Sequence, residues 1–276
     1  MSVRAPAVAG LFYPDDPPRL ARAVADYLAG VEPDGAAPEA VPGAVPKAVP
    51  KAVPKAVVVP HAGFVYSAPV AASAYARLRP LKGRLSRVLL IGPAHRVAIR
   101  GLAAPRAEAF DTPLGRLPVD REAVARIAAL PQVTLNDEPH RLEHCLEVQL
   151  PFIIACRGIV PLAPLVVGDA SAAEVAEVVE MLWDGPETLV VISSDLSHYH
   201  DYETARRMDA ATSAAIEALD EARIGWDDAC GRIPIAGLLK VARARGLKAR
   251  TLDLRNSGDT AGPKNEVVGY GAYAFA

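Results

Sequence analysis

Arg87-Val88-Leu89-Leu90-Ile91-Gly92-Pro93-Ala94-His95 is the stretch on which the fold reading turns. Val88 to Ile91 is apolar without alternation, so the strand it predicts, Arg87 to Ile91, needs cover on both of its faces. Gly92 and Pro93 end the strand, and a histidine stands just beyond it. The same pattern occurs upstream, where Ala56 to Val59 is an apolar strand followed by Pro60-His61. Thr188 to Ile192 is a third buried strand, and it runs into the polar segment Ser193-Ser194-Asp195-Leu196-Ser197-His198-Tyr199.

Helical patterns fill the intervals. Leu20, Val24 and Leu28 recur every four residues and predict a helix over 17–28. Further helices are expected over 67–78, 121–130, 143–156, 202–219 and 233–245. Another carries Val175, Val178, Val179 and Leu182 on one face behind a Ser171/Glu174 capping box. Ile159 to Val167 reads as a strand interrupted by Pro161 and Pro164, 102–119 as short strands or loops, and the end as strands over 249–254 and 267–275. Strands alternating with helices predict an α/β fold: one domain over 1–276, with a central, mostly parallel or mixed sheet and helices on both faces. The last strand is expected to be antiparallel.

A proline-rich insertion covers about 33–55. Within it, Ala-Val-Pro-Gly and three copies of Ala-Val-Pro-Lys run from Ala40 to Lys55. A proline every fourth residue blocks helix propagation and regular sheet pairing, so a solvent-exposed tether is expected.

Composition narrows the function. The chain is 51% hydrophobic and 22% charged with a net charge of -2, and no block of Lys and Arg suggests a nucleic-acid partner. Cys145, Cys156 and Cys230 are too few and too scattered for a disulfide framework or a CxxC zinc site. The N-terminus has no secretory apolar core, and the apolar run from Gly158 to Gly168 is too short to cross a bilayer, so a cytoplasmic location is expected. No GxGxxG or P-loop follows the first strand, and no GxSxG follows any strand.

The six histidines carry the functional signal. Open α/β sheets bind ligands outside the carboxyl ends of their strands, so His61 and His95 can meet there and share a metal; alternatively each caps its strand end. His198 follows Asp195 by three residues, a spacing that lets the carboxylate orient the imidazole for acid/base work; alternatively the run is a helix N-cap. Glu143 and Glu147 share a helix face that suits either a polar pocket wall or solvent, with His144 pointing aside. His140 and His200 read as surface residues, and Cys145 and Cys156 as helix core. Cys230 precedes Gly231 and a helix start, the setting of a metal ligand, a nucleophile or an inert buried thiol.

Blocks spread along the chain then add a resemblance. They are Pro6-Ala7-Val8-Ala9-Gly10-Leu11-Phe12-Tyr13-Pro14, Pro60-His61-Ala62-Gly63-Phe64-Val65-Tyr66-Ser67 and Ile91-Gly92-Pro93-Ala94-His95. They continue with Glu143-His144-Cys145-Leu146-Glu147-Val148-Gln149-Leu150-Pro151-Phe152, Ser193 to Tyr199, Ala229-Cys230-Gly231-Arg232 and Gly269-Tyr270-Gly271-Ala272-Tyr273. The sequence resembles the MEMO family, also called AmmeMemoRadiSam system protein B, which is similar in fold to the LigB-type class III extradiol dioxygenases. The resemblance implies that His61, His95 and Cys230 are the metal-site residues, with one transition metal ion, iron or copper favoured and zinc possible. It places His144, Asp195 and His198 around the same pocket: His198 exchanging protons, Asp195 fixing it and His144 lending a hydrogen bond. It also implies AMMECR-type and radical SAM protein partners and an unknown small-molecule substrate. The dioxygenases hold ferrous iron with two histidines and a glutamate, so a cysteine at the third position departs from them. A non-catalytic interaction module on the same fold is the competing expectation.

Overall fold

The computed structural model describes residues 2–31, 53–81, 83–183 and 185–276. Most of the proline-rich insertion, up to residue 52, therefore lies outside the described residues. Strand β1 (Val3–Arg4) and helix α1 (Pro17–Ala29) open the chain, with Asp16 accepting from Arg19 N to cap the helix. Strand β2 (Ala56–Val59), helix α2 (Phe64–Tyr75) and strand β3 (Arg87–Pro93) follow. Three short strands, β4 (Leu102–Ala104), β5 (Ala109–Thr112) and β6 (Gly115–Pro118), precede α3 (Arg121–Ile127), β7 (Val133–Leu135), α4 (Glu138–Arg141) and α5 (Leu150–Arg157). Next come β8 (Leu162–Val167), α6 (Ala172–Leu182), β9 (Thr188–Ser193), β10 (His198–His200) and α7 (Tyr202–Glu217). Helix α8 (Arg232–Ala244), strand β11 (Ala249–Asn256), the short α9 (Ser257–Thr260) and strand β12 (Val267–Phe275) complete the chain.

The main sheet has the order β10-β12-β2-β9-β3-β8-β4-β7, with β11 also on β12. Its centre, β2-β9-β3-β8, is parallel, and the last strand joins β2 antiparallel, as expected. Every residue of β2 and β9 is buried, as are Val88 to Ile91, which requires cover on both faces. Helices α1, α2 and α5 pack together, with α2 on β2 and β12. Helices α3, α6 and α8 form a second group, with α8 on β3 and β9.

Several boundaries differ from the expectations. Helix α2 begins at Phe64 rather than Ser67, because Gly63 serves as its N-cap without a side-chain bond, and a 3₁₀ turn replaces its end over Ala76–Leu81. The helix expected over 143–156 is a turn, a 3₁₀ segment at Glu147–Gln149 and then α5. Strand β8 starts after Pro161, and Pro164 is tolerated where the strand pairs only with β3, since β4 joins at Val166. A second sheet, β1-β5-β6, ties the N-terminus to the β5-β6 hairpin.

Candidate metal centre

Strand order builds the site. Strands β2 and β3 flank β9 and all three run parallel, so the segments after their carboxyl ends are neighbours. The first delivers His61, the second His95, and β9 delivers Ser193 and then Asp195. Cys230 arrives from the turn before α8, where its Sγ stands 3.3 Å from His61 Nε2. The donor atoms of His61, His95 and Cys230 lie within 4.8 Å of one another.

Hydrogen bonds fix which ring nitrogens face this point. Ser193 Oγ donates its single proton to Cys145 O at 2.6 Å, so towards His61 Nδ1, 2.9 Å away, it acts as acceptor. His61 therefore carries its proton on Nδ1 and turns the Nε2 lone pair towards Cys230. Gln149 completes the anchor by donating Nε2 to Ser193 Oγ and to Pro60 O. His95 Nδ1 lies 2.9 Å from Glu143 Oε1, and Glu143 Oε2 accepts the His95 backbone N–H at 2.7 Å. A carboxylate accepts only, so the proton sits on His95 Nδ1 and Nε2 is left open. Burial opposes ionisation of Glu143, yet the hydrogen bonds it accepts from the His95 ring, the His95 backbone and the Cys145 backbone hold it down to about 2.

His144 joins the same cluster. Its ring stacks on His95 with centroids 4.8 Å apart and meets His61 edge-on at 5.4 Å. Burial, with the neighbouring His61 opposing a second positive charge, lowers its pKa to about 4, so it is a neutral base at physiological pH. Burial also lowers His61 well below its ordinary value. Burial and then Asp195 push the Cys230 thiol up to about 12.

Asp195 does not pair with His198 as the spacing suggested. It accepts the His61 backbone N–H at 2.7 Å, and its other oxygen is 4.0 Å from His61 Nε2. His198 begins β10 beside a register shift opposite β12, and it is close enough for its charge to act on both His61 and Asp195. The Ser193 to Tyr199 run is therefore a strand end leading to a short edge strand, not a helix cap. His140 is buried, donates Nε2–H to Ala103 O at 3.0 Å and meets Phe110 edge-on. The surface expectation for it fails because α4 turns it under β4.

The donor set fits a metal ion. Ligands about 2.0–2.3 Å from one ion at tetrahedral angles stand about 3.5 Å apart, close to the His61–Cys230 separation. Two imidazoles and a thiol suit copper, zinc or iron. Spacing offered Glu143 only as part of a polar pocket wall or a solvated face, and it gave no supporting role to Ser193 or Gln149. The family-like blocks from Glu143 to Phe152 and from Ser193 to Tyr199 contain all three and were the signal that could have found them.

The Memo-like protein family model matches residues 4–274. The chain belongs to this family. Among its Memo-like relatives, a MEMO1 family protein of Aquifex aeolicus is 33% identical over 98% of each chain. One from Aeropyrum pernix is 34% identical over 99% of each. An uncharacterized protein of Escherichia coli K12 shares the fold at TM-score 0.53 and 15% identity, covering 78% of this Memo-like chain and 98% of its own. No helix among the described residues is long and apolar enough to cross a membrane.

Proposed function

We propose that this Memo-like protein holds one transition metal ion on His61, His95 and Cys230, in a pocket of the class III extradiol dioxygenase kind, and uses it on a small molecule. The observation that carries this is the pair of imidazoles. Each has its Nδ1 proton committed, to Ser193 and to Glu143, and each offers Nε2 beside the Cys230 sulfur. Bound there, iron or copper supplies redox chemistry and any of the three metals supplies Lewis acidity. Three protein ligands leave coordination positions open, whereas a closed structural zinc site uses four. The thiolate in place of a carboxylate favours copper or zinc more than the dioxygenase set does, without excluding iron.

The surrounding residues then divide the work. Asp195 positions His61 through its backbone. His144, neutral and wedged against both ligand rings, is a proton acceptor at the pocket wall. His198 is the further acid/base group at the edge of the site.

The test is purification without an affinity tag under reducing, anaerobic conditions, followed by metal analysis and metal-edge spectroscopy. The reading requires a sulfur scatterer at about 2.3 Å if the metal is zinc, lost in Cys230→Ser with the fold retained. Fully loaded protein without a sulfur ligand would overturn it.

One observation favours the interaction module. Leu11 and Val65 are 80% and 61% exposed on segments joined by the Phe64 N to Phe12 O hydrogen bond. A partner of the AMMECR or radical SAM type would cover such a patch. Binding retained by Leu11→Asp/Val65→Asp would exclude this surface.

A further inference from the structure

Beside the metal centre, and sharing the Cys230 wall with it, is a cavity of about 410 Å³ whose lining includes Val97, Ile99, Ala229, Trp226 and Arg232. That volume suits a small organic ligand. Arg232 and Asp169 are the charged residues of its lining. The Arg232 Cζ stands over the Trp226 ring, 3.2 Å from its centroid, while Trp226 itself is 77% exposed. A guanidinium held over an aromatic ring still has its N–H donors to offer to an acceptor. Arg232 Nε is buried, yet no hydrogen bond or ion pair satisfies it among the described residues. A buried, unsatisfied charged donor is costly, and an acceptor arriving with a ligand removes that cost.

We propose that this cavity binds a small organic carboxylate with a flat apolar body. The carboxylate lies against the edge of Arg232 in a two-pronged hydrogen bond. The body rests between Val97, Ile99 and Ala229, against the wall that Cys230 shares with the metal centre. Asp169, exposed at the rim, opposes a second negative charge and so selects a monoanion over phosphate. That this ligand is the substrate rests on the metal-centre reading; its binding does not.

Titration of the full-length protein with benzoate, followed by calorimetry and tryptophan fluorescence, tests the site. Benzamide and inorganic phosphate serve as parallel ligands, and metal-loaded and chelator-treated protein are compared. Benzoate should bind saturably and perturb fluorescence in wild type but not in Trp226→Phe. Benzamide and phosphate should each bind about tenfold more weakly or worse, and Arg232→Gln should weaken benzoate by about tenfold or more. Trp226→Ala, a change at an exposed ring, should weaken benzoate in protein whose circular dichroism is unchanged. Absent benzoate binding, equal binding by folded Arg232→Gln, or tighter binding of phosphate overturns the proposal. Benzoate bound by protein that takes up no metal overturns the metal-centre reading alone, and metal held without benzoate binding overturns this one alone.

Discussion

Four N–H groups converge on the Glu143 carboxylate: the His95 backbone and Nδ1, and the backbone N–H of His144 and Cys145. One side chain thus shapes the turn and sets the His95 tautomer. Glu143→Gln should lower metal affinity by about 10–100-fold, as loss of such a partner does elsewhere, while the chain still folds. Equilibrium competition against a chelator measures this, and unchanged affinity would detach Glu143 from the centre. Cys230 makes a second prediction. Its thiol is held up to about 12, by burial and then by Asp195, and coordination requires the thiolate. Metal uptake near neutral pH should therefore release about one proton from this residue. Calorimetry in buffers of different ionisation enthalpy reads that proton, which should vanish in Cys230→Ser.

At the scale of elements, a single arginine connects the N-terminus to the site. Arg4, in β1, donates Nε to His140 O at 3.0 Å and Nη2 to Glu143 O at 2.5 Å, and it pairs with Glu147. Glu147, itself fully buried, also accepts from Ala7 N, Val8 N and Tyr13 OH. Arg4→Met leaves this carboxylate buried without its cation and should cost about 3–5 kcal/mol in denaturant unfolding. Because Arg4 also holds the Glu143 carbonyl, metal affinity should fall with it. This link explains what sequence could and could not tell. The runs at Ala56, Arg87 and Thr188 were legible as buried strands because an apolar run has one physical solution in an α/β sheet. The two histidines beyond them were legible for the same reason. The Glu143 to Gln149 segment was not. Its glutamates have helical spacing, but each is claimed by a different distant partner, His95 for one and Arg4 for the other, and this local pull breaks the helix. His140 was misplaced because burial of an imidazole depends on one long-range acceptor, Ala103 O, which leaves no trace in local pattern.

The whole molecule titrates in two opposing directions. His140, lowered by burial to about 4, is neutral in the fold and charges more readily when unfolded. Its contribution is present above about pH 6.5 and is lost as pH falls through 4. Asp209 is buried, accepts Ser197 N at 3.1 Å and is pushed up to about 6, mainly by burial. Its contribution is present below the ordinary carboxyl range and is lost as pH rises through 6. Asp209→Asn keeps an acceptor for Ser197, so it should raise the Tm more at pH 7.5 than at pH 4. A Tm gain independent of pH would show that Asp209 does not titrate in this way. The strand order has a consequence for biosynthesis. His61, His95 and Cys230 come from three separate segments, the outer two 169 residues apart, and meet only where β2, β9 and β3 lie side by side. Synthesis runs from the N-terminus, so a nascent chain that has not reached Cys230 has both histidines but lacks the third residue of the cluster and α8. Under the proposed metal role, an ion held by all three residues can bind only after β9 and the segment before α8 have been made. A copy truncated before Cys230 lacks one of the three proposed ligands and should hold an ion more weakly than the full-length protein, which would make metal content a readout of chain completion.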